Sequence, residues 1–185
     1  MKKILIILII LIIVVFVVIS LLFDLFNREP TPPIAVSNFK DCAAAGYPVM
    51  ESYPRQCRTP QGKNFVEDVG GELQKDNLIR LESPRPNTLV DSPLNITGMA
   101  RGYWFFEASF PVRITDANGT ELGVAPAQAE GEWMTEEFVP FSATLEFKSP
   151  ATQRGYLILE KDNPSGLPEN ADELKIPISF GLLDG

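Results

Sequence analysis

From Leu78 to Phe180, apolar and polar residues alternate with a period of two. Ile79 and Leu81 are interleaved with Arg80 and Glu82, and Leu94 and Ile96 with Asn95 and Thr97. The longest run sets Trp104, Phe106, Ala108, Phe110, Val112 and Ile114 on one side and Tyr103, Phe105, Glu107, Ser109, Arg113 and Thr115 on the other. Phe141, Ala143, Leu145 and Phe147 alternate with Ser142, Thr144, Glu146 and Lys148. Tyr156 to Glu160 and the series Leu174, Ile176, Ile178, Phe180 complete the set, while Leu122 and Val124 give a weaker, shorter strand. Alternation of this kind buries one face of each strand and wets the other, which is the pattern of antiparallel sheets. Ser83-Pro84, Asn118-Gly119, Ser149-Pro150 and Asn163-Pro164-Ser165-Gly166 separate the strands with turn chemistry. The pattern predicts an all-β, antiparallel β-sandwich of about seven strands over residues 78–182. Trp104, Phe106, Phe110, Trp133, Phe138 and Phe141 are the large side chains expected to fill its core.

The start of the chain follows a different rule. Ile4 to Phe23 contains twenty residues whose only polar member is Ser20. At 1.5 Å rise per residue such a helix is ~30 Å long, the thickness of a bilayer's hydrocarbon core. Signal peptides carry a shorter apolar core of ~7–15 residues before a small-x-small cleavage site. The best match, Val18-Ile19-Ser20, lies inside the run and is followed by bulky Leu21-Leu22-Phe23. Residues 1–23 are therefore expected to be an uncleaved signal anchor, with residues 4–23 in the lipid bilayer. Lys2 and Lys3 put the N-terminus in the cytoplasm and residues 24–185 outside it, giving a single-pass protein of the cell membrane.

Between anchor and sandwich the composition shifts twice. Residues 24–38 hold Pro30, Pro32 and Pro33 and read as a semi-rigid spacer. Residues 39–68 form a small, turn-rich unit containing Cys42 and Cys57, too short to bury an adequate core unaided. Residues 69–77, from Gly70-Gly71 to Asp76-Asn77, read as a flexible linker. Cys42 and Cys57 are the only cysteines, and an oxidising compartment would join them. With no histidine in the chain, two thiols make a poor metal site, and the C-x-x-C spacing of a redox centre is absent.

Charge narrows the partners. Setting aside Lys2 and Lys3, 14 basic residues face 24 acidic ones, a net of −10. Nucleic acid and anionic lipid headgroups reward clustered Lys and Arg, so neither is expected as a ligand.

Three stretches of the sandwich carry a resemblance. They are SPRPNTLVDSPLNITGMARG, WFFEASFPVRITDANGTEL and GEWMTEEFVPFSATLEF, all within residues 83–147. The ordered series of two Ser-Pro pairs, Gly98, the aromatic strand, Asp-x-Asn-Gly and a final Gly-x-Trp before Pro-Phe resembles the immunoglobulin-like domain of bacterial spore-germination proteins, often found beside a GerMN domain. The resemblance extends from about Ile79 to Ile178. It implies an immunoglobulin-like sandwich in an exported bacterial protein, without assigned catalysis. This chain has the Cys42–Cys57 unit where the germination proteins have GerMN, so the implied role is that of a general surface module.

Little in the sequence carries chemistry. Without histidine there is no Ser-His-Asp or Cys-His arrangement, and no G-x-S-x-G, Walker or dinucleotide motif occurs. A carboxylate pair among Glu107, Asp116, Glu121, Glu130, Glu132, Glu136 and Glu137 is arithmetically open, but carboxylates on strand faces and loops are usually just solvated. Asp116-Ala-Asn118-Gly119 shares oxygen ligands with calcium loops yet fits a hairpin turn better. Asp162, Asn163, Asp172 and Glu173 form a second oxygen-rich region of the same standing. No catalytic residue, metal or cofactor is expected. Tyr103 and Phe105, on the polar side of the long strand, are the candidate binding surface for another envelope protein or a glycan. Tyr53-Pro54-Arg55-Gln56 reads as an ordinary turn beside Cys57. The expected function is a non-catalytic binding or scaffolding module at the bacterial cell envelope. The alternative is an envelope hydrolase or protease inhibitor acting through surface loops.

Overall fold

The computed structural model describes residues 13–20, 23 and 35–181. The chain divides into two compact units, Met1–Ser37 and Asn38–Gly185. In the first, residues 13–20 are helical, as is residue 23. Among the described residues no helix is long and apolar enough to cross a membrane. The rest of the expected span 4–23, and the spacer as far as residue 34, lie outside the described residues.

The second unit starts with a helix, Phe39–Ala44, capped by the Asn38 side chain, which accepts from the Asp41 amide at 2.9 Å. A three-stranded antiparallel sheet follows: β1 (Val49–Met50), β2 (Gln56–Arg58) and β3 (Asn64–Val66), in that order. The Cys42–Cys57 disulfide joins the helix to the central strand, with Cα atoms 6.0 Å apart and both residues fully buried. The staple thus holds together two elements too short to be stable alone.

The remaining strands are β4 (Ile79–Ser83), β5 (Leu89–Val90), β6 (Leu94–Arg101), β7 (Ser109–Asp116), β8 (Glu121–Ala129), β9 (Phe138–Leu145), β10 (Arg154–Glu160) and β11 (Glu173–Phe180). They make one sheet in the order β4-β6-β9-β8-β7-β10-β11-β5. The sheet curls because β8 pairs with β7 along its length but with β9 only through Gln128 opposite Ser142 and Ala129 opposite Phe141. Its two halves close on one core, where the Phe110 and Phe141 rings meet edge-on at 4.9 Å. The expectation of about seven strands, all antiparallel, is corrected in one respect, the direction of β5. There are eight strands, and β5 runs parallel to β11 through Leu89–Ser179 and Val90–Phe180. A two-residue strand is too short for alternation to reveal.

The longest predicted strand is also corrected. Gly102–Trp104 is a 3-10 turn and β7 begins only at Ser109. Between them Glu107 and Ala108 take left-handed φ values of 49° and 61°, and Phe106 and Ser109 exchange hydrogen bonds of 2.9 and 3.1 Å across the reversal. The turn resets the alternation. Phe105, expected on the wet side, is 4 % exposed and stacks edge-on against Phe110 at 5.2 Å, while Phe106, expected inside, is 42 % exposed. Trp104, Phe110 and Phe141 are buried as expected. Phe138 and Trp133 are only half-buried, and the Phe138 ring lies under the guanidinium groups of Arg80 and Arg101 at 4.3 and 4.1 Å.

Residues 69–77, expected as a flexible linker, are fastened to the sandwich. Gly70 has φ 63°, and a Cβ there would run into the Lys175 carbonyl and lie 2.9 Å from Pro177 Cδ. The Gly71 amide donates to the Lys175 carbonyl at 3.0 Å. Lys75 pairs with Asp172, and Arg85 pairs with Glu72 at 2.6 Å.

Candidate functional site

Of the two residues expected to form a binding surface, only Tyr103 is exposed, at 49 %; Phe105 belongs to the core. The exposed aromatic beside Tyr103 is Phe106, which the period-two pattern assigned to the interior. The loop that carries them meets the loop of residues 131–137, since Gly102 donates to the Glu137 carbonyl at 3.1 Å. A Cβ on Gly102 would collide with the Trp133 and Thr135 carbonyls, so only glycine lets the two loops come this close. Met134 is also exposed here, and Glu107, Glu132, Glu136 and Glu137 share these loops.

Among the carboxylates singled out in the sequence, Asp116, Glu121 and Asp172 have structural partners. Arg113 bridges Glu160, at 2.9 Å, and Glu121 across the outer side of β7, β8 and β10. Asp116 Oδ1 accepts from the amides of Asn118 and Thr120 at 2.9 and 2.8 Å, so this carboxylate organises the β7–β8 turn. Asp172 takes Lys75, and Asn163 donates to the Leu167 carbonyl at 2.8 Å. Among the described residues no group of three or more acidic or thiol side chains is placed to hold a metal ion.

A concavity lies elsewhere, between the disulfide unit and the sandwich. It is a cleft of about 650 Å³. Its floor is Arg154, Gly155 and Tyr156 of β10 with Pro177, Ile178 and Ser179 of β11; its wall is the start of the helix, with Phe39 and Lys40, and the Val66–Asp68 segment. The sequence did not reveal it, because its two sides are more than 80 residues apart and each half alone is an ordinary surface. In β10 the buried side chains are Leu157 and Leu159, not Ile158, which the period-two pattern would turn inward, and this is what leaves Arg154 and Tyr156 on the outer face.

Charge within the cleft is unevenly satisfied. Arg55 grips Glu67 through two hydrogen bonds, one of 2.8 Å from Nε to Oε2, and Asn87 donates to the Asp68 carbonyl at 2.8 Å. The Arg55 guanidinium holds the Glu67 carboxyl below the usual carboxylate range, and the Arg55 value is correspondingly raised. Lys40 and Arg154 form no ion pair among the described residues, and both are exposed at the cleft. Glu72, behind the cleft, behaves oppositely to Glu67. Burial pushes its carboxyl up despite Arg85, and its Oε2 has no hydrogen-bond partner. Such a site can hold a ligand by shape and charge, but its one paired carboxylate stays ionised and bonded to Arg55.

Residues 78–166 match the family model described as the immunoglobulin-like domain of bacterial spore germination (Gmad2). The match spans β4 to β10 and stops before β11, so the residues that complete the cleft floor, and the whole of its wall, lie outside it. No curated protein and no solved structure matches the chain in comparisons of either kind.

Proposed function

We propose that this chain, whose residues 78–166 belong to the immunoglobulin-like domain family of bacterial spore germination, is a single-pass, membrane-anchored protein that presents a non-catalytic binding module at the outer side of a bacterial cell membrane. The observation that carries the binding role is the cleft built where the disulfide unit meets the family domain, of a size suited to a ligand. The two-point grip of Arg55 on Glu67 favours binding over turnover, because it engages this carboxylate in a structural pair. The membrane location is supported by the apolar run of residues 4–23 behind Lys2 and Lys3, and the outward orientation by the disulfide.

The test is crosslinking of the intact protein in its native cell, followed by identification of the captured material. Capture of an envelope protein or envelope glycan that depends on residues 38–185 supports the reading. Turnover of any captured species by the purified chain would replace it with the hydrolase reading.

A further inference from the structure

We infer that the cleft between the helix Phe39–Ala44 and strands β10 and β11 is a binding site for an anionic saccharide, with Lys40 and Arg154 receiving its acid groups. This deepens the binding-module reading and rests on it. Three observations lead there. First, the chain carries a net charge of −8, yet this cleft presents two cations that no carboxylate of the described residues neutralises. Arg55 is taken by Glu67, Arg113 by Glu121 and Glu160, and Lys75 by Asp172, while Arg58, Lys63, Lys148, Lys161 and Lys175, like the two cleft cations, form no ion pair among the described residues. An anion entering the cleft therefore meets charge that is still available, and each good contact to it is of the stronger, charge-assisted kind.

Second, the floor offers side chains rather than backbone. β10 is paired on both sides, to β7 and to β11, and β11 is paired to β10 and, at Ser179 and Phe180, to β5. An extended peptide that bound by adding a strand would find these backbone groups already occupied. On this floor a ligand is read by side chains, and those present suit a ring dense with hydroxyls. Among the lining residues the Tyr156 phenol and the Ser179 hydroxyl can donate or accept, and the Asp68 carboxylate accepts.

Third, Phe39 and Tyr156, both half-buried, give opposite sides of the cleft an aromatic element, and the apolar face of a sugar ring rests well on such surfaces. Each ring already has one cation over it: Arg55 over Phe39 at 5.3 Å, and Lys175 over Tyr156 at 4.1 Å. Those contacts favour the ring positions seen here. The Cys42–Cys57 bond does the same for the helix that carries Phe39 and Lys40. The site is pre-organised, which lowers the ordering cost of binding.

The full chain in detergent micelles would be titrated calorimetrically with trigalacturonate, with neutral cellotriose and with a pentaglutamate peptide. Trigalacturonate is expected to bind, with affinity that falls as salt rises. K40Q and R154Q should each weaken it by about tenfold, the loss of one charge-assisted contact. Both side chains are exposed, so unchanged melting of each variant would show that folding is intact. No binding of trigalacturonate, equal binding of cellotriose, or equal or tighter binding of pentaglutamate would each overturn the inference. Chromatography of the recovered sugar separates this from failure of the underlying reading. Intact but unbound trigalacturonate refutes only the ligand, whereas shortened products refute the non-catalytic module itself.

Discussion

A single turn decides which aromatic side chains are structural. Had β7 run straight from residue 103, Phe106 would be interior and Phe105 wet; the left-handed pair Glu107-Ala108 reverses both. Phe105→Ala is therefore expected to destabilise the fold by about 3–5 kcal/mol, like Phe110→Ala, because both empty the same aromatic cluster. Phe106→Ala and Tyr103→Ala should each stay within about 0.5 kcal/mol, as solvent-exposed positions do. Chemical denaturation of the four variants checks the set, and a large loss for Phe106→Ala would show that its ring is covered. Left-handed φ at non-glycine residues costs about 1–2 kcal/mol each, so Ala108→Gly should stabilise, by less than that once glycine's greater unfolded freedom is counted. Two buried glutamates give opposite pH responses. The Glu67 value is depressed by Arg55, so its contribution is complete above the ordinary carboxylate value and is lost as pH falls through the depressed one. The Glu72 value is raised by burial, so its contribution is present below the ordinary value and lost as pH rises through the raised one. Glu67→Gln should flatten the acid limb of the stability curve, and Glu72→Gln should remove a penalty that grows toward neutral pH. Thermal melts across the acid range distinguish them, and parallel shifts of both variants would contradict the assignment.

Among the elements, those with clean alternation were legible in the sequence and those defined by tertiary partners were not. β4, β6, β9 and β11 follow their apolar period because one face of each lies on the core. β8, expected to be short, is the longest strand at nine residues. Gly123, Ala125 and Ala127 soften its pattern, and it serves as the hinge around which the sheet curls rather than as a face of the sandwich. β5 exists only because its two residues lie beside β11. The linker illustrates the same limit: Gly70-Gly71 reads as flexibility, yet Gly70 is glycine so that the backbone can approach Lys175 and Pro177. Gly70→Ala should accordingly destabilise the docking of residues 69–77 and speed amide exchange there, while β6, β7 and β9 stay protected. Reduction of Cys42–Cys57 acts on the other side of the cleft. In the chain-entropy model the bond is worth about 3 kcal/mol for a loop of this length. Its loss should raise exchange over residues 39–68 first. Equal deprotection of β7 and β9 on reduction would mean that the sandwich core depends on the staple. The candidate site escaped the sequence for the same reason: Lys40 and Arg154 are ordinary surface cations until the helix is laid across β10.

For the whole molecule, location is the property the sequence argues most firmly and the described residues leave open to experiment. The apolar run of residues 4–23 has Lys2 and Lys3 before it, whereas Asp24, Arg28 and Glu29 after it nearly cancel. Under the proposed anchor, a charge difference of this sign would hold the lysine end in the cytoplasm, and a disulfide on the far side would form where oxidants are available. An acidic unit so placed would also be repelled as a whole by anionic headgroups. These three inferences stand or fall together in one experiment. Protease added to intact cells should digest residues 24–185 and leave a fragment that retains the original N-terminus and partitions with the membrane. Lys2→Glu and Lys3→Glu together should reduce that accessibility, since the bias that orients the span is removed. Protection of residues 24–185 in the unmodified protein would reverse the orientation. A mature chain that begins after Ser20 would convert the anchor into a cleaved leader and release the binding unit from the membrane.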